Sequence, residues 1–156
     1  WSGRGTLVWD DAWAYDVATR PFTDDLRYWS GVVAAARPRR VLDLGCGTGR
    51  LSLPIAREGR RSEPGFRLVG LDRSEPFLAA ARERLRLEAP ELGATVTFVH
   101  GDMADFSLGE RFDLIVLGYN NLGYLVEPEQ RVGCVRAIRR HLAVDGRLAI
   151  DLHLPD

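Results

Sequence analysis

The chain has 156 residues, of which 46% are hydrophobic and 28% charged, which is enough for one domain with a buried core. Its formal net charge is −1, with both signs interspersed, so nothing in it favours nucleic acid or an anionic membrane as a partner. No apolar run approaches the ~20 residues that span a bilayer.

Cysteine and lysine usage narrow the chemistry further. Cys46 and Cys134 are far apart and form no Cys-x-x-Cys pair, so they suggest neither a disulfide framework nor a structural zinc site and favour a reducing, cytoplasmic location. All 21 basic residues are arginine, which excludes chemistry that needs a lysine. We expect a single domain over residues 1–156, with an N-terminal arm or lid over 1–22 and a core over 23–156.

Hydrophobic spacing predicts alternating helices and strands along the core. The predicted helices are 24–36, a segment from the glycine loop to about 59, 74–88 and 128–142. The predicted strands are 40–45, 67–72, 94–100, 112–118 and 147–152, with a turn over 144–146. In the last helix the predicted buried stripe is Val132, Val135, Ile138 and Leu142. Apolar strands between helices predict an α/β fold with a parallel sheet covered on both faces.

The most informative segment is an apolar strand that runs into three alternating glycines over residues 40–49. Such glycines allow a sharp turn and let a ligand approach the bare backbone. A dinucleotide fingerprint needs its third glycine at position 50, where this chain has Arg50, so the register disfavours NAD. A phosphate-binding P-loop is excluded because no Gly-Lys-Ser/Thr tripeptide occurs.

Asp43-x-Gly-x-Gly-x-Gly resembles the first motif of class I S-adenosylmethionine-dependent methyltransferases of the small-molecule type. In that family the loop wraps the methionine half of the cofactor. The resemblance therefore implies that S-adenosylmethionine is the cofactor and that the loop contributes cofactor-binding residues. These are Asp43, Gly45, Cys46, Gly47 and Gly49.

Two later strand ends extend the resemblance. Asp72, followed by Arg73, ends the second strand, where the family binds the ribose hydroxyls; the alternative is a turn aspartate that caps the next helix together with Ser74. Asp102 and Met103 follow the third strand, where the family meets the adenine ring. The alternative there is a simple turn with Met103 in the core.

The catalytic residues are much less defined than the cofactor residues. Tyr119, after the fourth strand, lies where the family lines the pocket between cofactor and acceptor. Tyr15 belongs to an aromatic segment that forms a lid in related enzymes, although an irregular arm packed on the body is an equal alternative. His153 could act as a base, but a lone histidine is more often a bystander. His141 is expected to be a favourable charge at a helix end.

We therefore expect a methyltransferase that moves a methyl group to a nitrogen, oxygen or carbon of a small molecule. Alignment of the nucleophile can supply much of the catalysis without a dedicated residue. No metal is expected, because neighbouring carboxylates for magnesium are lacking. The alternatives are a non-catalytic cofactor-binding module and an aminopropyltransferase-like enzyme, although the paired acidic residues of the latter are missing after the fourth strand.

The resemblance also implies a Rossmann-like strand order of 3-2-1-4-5, followed in complete members by a sixth and a seventh strand. This sequence stops at Asp156. We expect the native protein to be longer, because the fifth strand would otherwise be an exposed apolar edge. We also expect the missing part to supply much of the acceptor pocket. The sequence does not indicate the oligomeric state or the acceptor.

Overall fold

The computed structural model describes residues 11–152, and within that range helices alternate with strands. The helices are α1 (Ala12–Thr19), α2 (Asp24–Ala36), α3 (Ser52–Ser62), α4 (Glu75–Glu88) and α5 (Pro128–His141). The strands are β1 (Arg40–Leu44), β2 (Arg67–Asp72), β3 (Val96–His100), β4 (Phe112–Leu117) and β5 (Leu142–Ile150).

The strands form one parallel sheet in the order β3-β2-β1-β4-β5, which confirms the predicted order and fold class. β1 pairs with β2 on one side and with β4 on the other. The direction of the strand order reverses between β1 and β4. In open parallel sheets this reversal leaves a crevice at the carboxyl ends of the strands, where ligands bind.

Side chains of each strand alternate between two buried clusters, one on each face of the sheet. Val41 joins the cluster that includes Trp29 of α2, whereas its neighbour Leu42 joins the cluster that includes Ile138 of α5. Residues of α3 and α4 also belong to the first cluster. The prediction of helices on both faces is therefore confirmed. Each fully buried large aliphatic side chain contributes about 1.5–3 kcal/mol of burial free energy.

The buried face of α5 differs from the predicted stripe. Val132 and Val135 are 48% and 56% exposed, whereas the buried residues are Cys134, Ala137, Ile138 and His141. A Cβ atom on Gly133 would lie 2.4 Å from the carbonyl oxygen of Ala104. The small residues on this side let the helix pack closely against the body, and this close packing overrides the more hydrophobic valine stripe.

His141 ends α5, where a favourable charge at a helix end was expected, and its side chain is buried. It is 5% exposed, and its Nδ1 lies 2.7 Å from the carbonyl oxygen of Ala137. The Leu108 N–H donates to Nε2 at 3.0 Å, which requires an unprotonated Nε2 and therefore a neutral ring with its hydrogen on Nδ1. His141 thus ties α5 to the segment between β3 and β4.

β5 begins at Leu142, five residues before the predicted start. Phe112 pairs with Leu142 and Leu114 pairs with Arg147, so the register shifts between these pairs. The predicted turn over 144–146 is therefore a bulge inside a longer strand. Among residues 11–152, β5 pairs with β4 alone, and Val144 on it is 99% exposed. No helix in the described range is long and apolar enough to cross a bilayer.

Candidate functional site

A cleft that is partly open to solvent lies at the carboxyl ends of the central strands, and the space inside it, open solvent included, is about 760 Å³. Residues from four strand ends and from α1 and α4 line it together. They are Tyr15, Gly45, Gly47, Leu71, Asp72, Arg73, Ser74, Phe77, Gly101, Met103, Tyr119, Asn121 and Tyr124.

The glycine loop after β1 forms one wall of the cleft. Gly45 and Gly47 adopt φ values of 72° and 55°, in the left-handed region that favours glycine. The Gly45 N–H donates to the carbonyl oxygen of Leu71 at 2.8 Å, so the loop is fixed to the end of β2. A Cβ atom on Gly45 would lie 2.5 Å from Nδ2 of Asn121. The loop therefore presents bare backbone that a side chain would obstruct.

Asp43 and Cys46 lie beneath this loop and do not line the cleft. Asp43 is 1% exposed, and its Oδ2 accepts a hydrogen bond from Ser52 Oγ at 2.6 Å. Burial raises the pKa of Asp43 to about 6, an effect that the Ser52 hydrogen bond reduces and the charge of Asp72 increases. Burial likewise raises the pKa of the Cys46 thiol well above its usual value. Both residues support the loop from below.

Asp72 joins the loop to the start of α4. Its Oδ2 accepts from the Gly47 N–H at 2.8 Å, and its Oδ1 accepts from the Ser74 N–H at 2.8 Å. An ionised carboxylate can accept about four hydrogen bonds, so capacity remains for a ligand in the cleft. The two interpretations of Asp72 from the sequence are compatible, because the residue holds the turn before α4 and also lines the cleft.

The end of β3 contributes Gly101 and Met103 to the cleft. Asp102 between them is exposed, and its Oδ1 accepts from the Ala104 N–H at 2.8 Å. Its predicted contact with adenine stays a prediction, as does the contact of Gly49. Gly49 packs under the loop, where a Cβ atom would lie 3.1 Å from the Phe98 ring.

The turn after β4 forms the opposite wall and has an unusual backbone. Tyr119 and Asn120 adopt φ values of 57° and 55°, a conformation that costs a residue other than glycine roughly 1–2 kcal/mol. Asn121 then donates through Nδ2 to the carbonyl oxygens of Leu44 and Gly45, at 3.0 and 2.8 Å. The turn is therefore fastened to the glycine loop across the switch point.

α1 covers the cleft from the N-terminal side, in a segment where an irregular arm was one expectation. The helix is capped by Asp11, whose Oδ1 accepts from the Ala14 N–H at 2.9 Å. Asp16 accepts from Thr48 Oγ1 at 2.6 Å and forms an ion pair with Arg84 at 2.6 Å. These contacts attach α1 to the glycine loop and to α4. Residues 1–10 lie outside the described range.

Aromatic rings and one arginine close the top of the cleft. The Tyr15 ring lies 5.5 Å from the Phe77 ring and 6.1 Å from the Tyr119 ring, between centroids. The Arg50 guanidinium lies 5.1 Å from the Tyr119 centroid and is paired with Asp25. Burial alone would lower the pKa of Arg50, but the hydrogen bond and charge of Asp25 outweigh it, and the pKa is raised.

Tyr15 is a poor candidate for a base at neutral pH. Burial raises its pKa to about 12, although the positive charge of Arg50 opposes this effect. The phenol therefore stays protonated and can donate a hydrogen bond to an anionic group. Tyr119 lines the cleft, and its role toward a cofactor or an acceptor stays a prediction. His153 lies outside the described residues.

The predicted site residues do not include Phe77, Asn121, Tyr124 or Asp151, although the first three of these line the cleft. Asp151 directly follows β5, which is the signal that applied to Asp72. Among the described residues, no three His, Cys, Asp or Glu side chains cluster closely enough to hold a metal ion.

The fold and the cleft define a class of protein: a Rossmann-like domain with a glycine loop after its first strand and an aspartate at the end of the second, as in class I S-adenosylmethionine-dependent methyltransferases. Residues 41–146 match the family model described as a methyltransferase domain. The chain belongs to that family.

Relatives and solved structures agree with this membership. The chain is 35% identical over 122 residues to a cypemycin N-terminal methyltransferase from a Streptomyces species, covering 76% of this chain and 45% of that one. It is 32% identical over 111 residues to the dTDP-3-amino-3,4,6-trideoxy-alpha-D-glucopyranose N,N-dimethyltransferase of Streptomyces venezuelae, covering 71% and 41%.

Among solved structures, S-adenosylmethionine-bound CalS10, an amino pentose methyltransferase of Micromonospora echinaspora involved in calicheamicin biosynthesis, superposes with a TM-score of 0.72. Its sequence identity is 28%, and the match covers 90% of this chain and 56% of that one. The chain thus spans about half the length of the curated relatives that it matches.

Proposed function

We propose that this chain binds S-adenosylmethionine in the cleft and forms the cofactor-binding part of an enzyme that methylates a nitrogen of a small molecule. The observation that carries the proposal is the hydrogen bond from the Gly47 N–H to Asp72. It joins the two motifs that the family uses for the methionine and ribose parts of the cofactor into one wall of one cleft.

The residues of the cleft fit this cofactor chemically. Gly45 and Gly47 provide bare backbone for the methionine part, and Asp72 provides an acceptor for two hydroxyl groups. Met103 and Phe77 provide apolar surface for a purine ring. When bound, S-adenosylmethionine supplies an activated methyl group on a sulfonium sulfur. The chain's contribution is then to exclude water and to hold the acceptor in line.

A nitrogen acceptor is favoured by the groups that line the cleft. A neutral amine has a free electron pair, whereas a hydroxyl must lose its proton to become a good nucleophile. The described lining includes no histidine, and Tyr15, with a pKa of about 12, is a poor base. The related methyltransferases from the two Streptomyces sources carry N-terminal and N,N-dimethyl in their names, which supports the same choice.

A cofactor-binding module without acceptor activity is the second candidate. It is favoured by the described cleft lining, which includes no histidine and in which Tyr15, with a pKa of about 12, is a poor base. The two candidates agree on the cofactor and differ only in whether these 156 residues also hold an acceptor.

Calorimetric titration with S-adenosylhomocysteine tests the shared part of the proposal, with NAD as the comparison ligand. We expect micromolar binding of S-adenosylhomocysteine and none of NAD. Asp72→Asn should weaken that binding about tenfold or more, because it loses a charged acceptor. The control is Asp105→Asn, which changes an exposed carboxylate paired with Arg140 outside the cleft. Binding of NAD alone would contradict the proposal.

Incubation with S-adenosylmethionine and a panel of amines, phenols, carboxylic acids and sugars then separates the two candidates. Formation of S-adenosylhomocysteine with amines supports the nitrogen methyltransferase. Binding without turnover across the whole panel supports the binding module, and turnover with phenols alone would contradict a nitrogen acceptor.

A further inference from the structure

Asp151, which directly follows β5, contacts the strained turn beside the cleft. Its backbone N–H donates to the carbonyl oxygen of Leu117 at 3.2 Å, which continues the pairing of β5 with β4 by one residue. Its Oδ2 accepts from the Tyr119 N–H at 2.8 Å and its Oδ1 accepts from the Asn120 N–H at 2.6 Å. One carboxylate therefore binds two successive backbone donors.

These two hydrogen bonds are donated by the two residues of the turn whose backbone conformation is unfavourable. Tyr119 and Asn120 are both left-handed, and a bulky tyrosine rarely adopts that conformation without compensation. Hydrogen bonds to an ionised acceptor are about twice as strong as neutral ones, so the carboxylate can offset the unfavourable conformation of the turn.

The turn determines which groups face the cleft. With this backbone, the Tyr119 ring lies beside the Tyr15 ring and the Arg50 guanidinium. Asn121 then donates to the carbonyl oxygens of Leu44 and Gly45. The end of β5 is thereby connected through the turn to the end of β1. A change at Asp151 would move both a cleft wall and the support of the glycine loop.

We propose that Asp151 is a positioning residue for the cofactor site: its carboxylate holds the Tyr119–Asn120 turn left-handed and so fixes Tyr119 and Asn121 at the cleft. The inference rests on the proposed function, because the readout is binding of the cofactor product. It extends that function from the residues that line the cleft to one that acts through them.

The chain offers a matched control at the other end of the sheet. Oδ2 of Asp113 accepts from the backbone N–H groups of Arg39 and Arg40, at 3.0 and 2.9 Å. Asp113 is also an aspartate on a strand that binds two successive amides, but these amides lie at the amino end of β1. Asp113→Asn therefore reproduces the loss of such a carboxylate without changing the cleft.

The test is calorimetric titration of the 156-residue chain with S-adenosylhomocysteine, with thermal unfolding measured in parallel. We expect Asp151→Asn to weaken binding about tenfold. The NH₂ group of the asparagine cannot accept the hydrogen bond that one carboxylate oxygen accepts from a backbone N–H. Asn120→Gly should rescue binding, since glycine adopts the left-handed region without strain. Binding by the double variant should be within about threefold of binding by Asn120→Gly alone, as expected when both changes act on one turn.

Asp113→Asn should leave the affinity within about twofold of the unaltered chain, even where it lowers the unfolding temperature. Three results would each overturn the inference. They are an unchanged affinity in Asp151→Asn, no rescue by Asn120→Gly, and an equal loss of affinity in Asp113→Asn. If the unaltered chain binds no S-adenosylhomocysteine, the proposed function itself fails, and that result is distinct from one in which only Asp151→Asn behaves unexpectedly.

Discussion

The two ends of the sheet use carboxylates in different ways. At the amino ends, Asp113 and Glu63 pair with arginines that are 42–74% exposed. At the carboxyl ends, Asp43, Asp72 and Asp151 bind a buried hydroxyl or the backbone N–H groups of loops. Asp113 also accepts from backbone N–H groups, so carboxylates that shape backbone occur at both ends. What distinguishes the ligand site is that its carboxylates hold loops whose backbone is free of side chains beside a cleft.

The largest difference between the two ends should come from a glycine that is replaced by alanine. Gly45→Ala places a Cβ atom 2.5 Å from Asn121 Nδ2 at a φ of 72°. We expect binding of S-adenosylhomocysteine to fall about a hundredfold or more, because both the loop and its contact with Asn121 must shift. Calorimetric titration measures this loss.

Gly65→Ala is the matched control at the amino end. Gly65 has a φ of 77°, and a Cβ atom there would have no neighbour within 4 Å. It should lower the free energy of unfolding by about 1 kcal/mol, through backbone strain alone, and leave binding unchanged. Equal losses of affinity in the two variants would show that the glycine loop is not special and would remove the distinction between the two ends.

The same contrast explains what could be predicted from the sequence. Periodicity predicted the alternating helices and strands, and the family resemblance carried by the glycine loop implied the strand order. Gly45, Gly47 and Asp72 could be placed at one edge of the sheet, because parallel strands end together. The predicted buried face of α5 was wrong, because the face that packs depends on how closely Gly133 approaches Ala104. Asp151 directly follows a strand, as Asp72 does, but its hydrogen bonds to the Tyr119–Asn120 turn join segments that are distant in the sequence. The same holds for the hydrogen bonds of Asn121, and no local pattern encodes such contacts.

A buried carboxylate under the loop should make stability depend on pH. Among the described carboxylates, only Asp43 is fully buried, and burial raises its pKa from 3.8 to about 6. Between these two values the folded chain holds a proton that the unfolded chain has lost. Stability should therefore fall as the pH rises through this window, by up to about 3 kcal/mol at 1.4 kcal/mol for each pKa unit.

Urea unfolding between pH 4.5 and 7.5 measures this effect. Asp43→Asn cannot lose a proton, so its stability relative to the unaltered chain should increase across the window. Ser52→Ala removes the hydrogen bond that lowers the pKa of Asp43, so its decline in stability should continue to a higher pH and be larger in total. A parallel pH dependence of the unaltered chain and Asp43→Asn would mean that the buried carboxylate does not titrate in this range.

The smallest expected effect concerns α1 and decides between a lid and a packed arm. Asp16, 25% exposed in its side chain, binds Thr48 and Arg84, so Asp16→Asn should loosen the helix that carries Tyr15 and weaken binding of S-adenosylhomocysteine about threefold to tenfold.

Glu63→Gln, at the amino end, is the control, because it changes a side chain that is 15% exposed and also pairs with arginines. Both variants should lose about 1 kcal/mol of unfolding free energy or less. Calorimetric titration of both variants with S-adenosylhomocysteine distinguishes them. A loss of unfolding free energy should lower the affinity only where the altered side chain holds a lid over the cleft. Unchanged affinity in Asp16→Asn would make α1 an arm that packs on the body, and the closure of the cleft would then depend on Tyr119 and Phe77 alone.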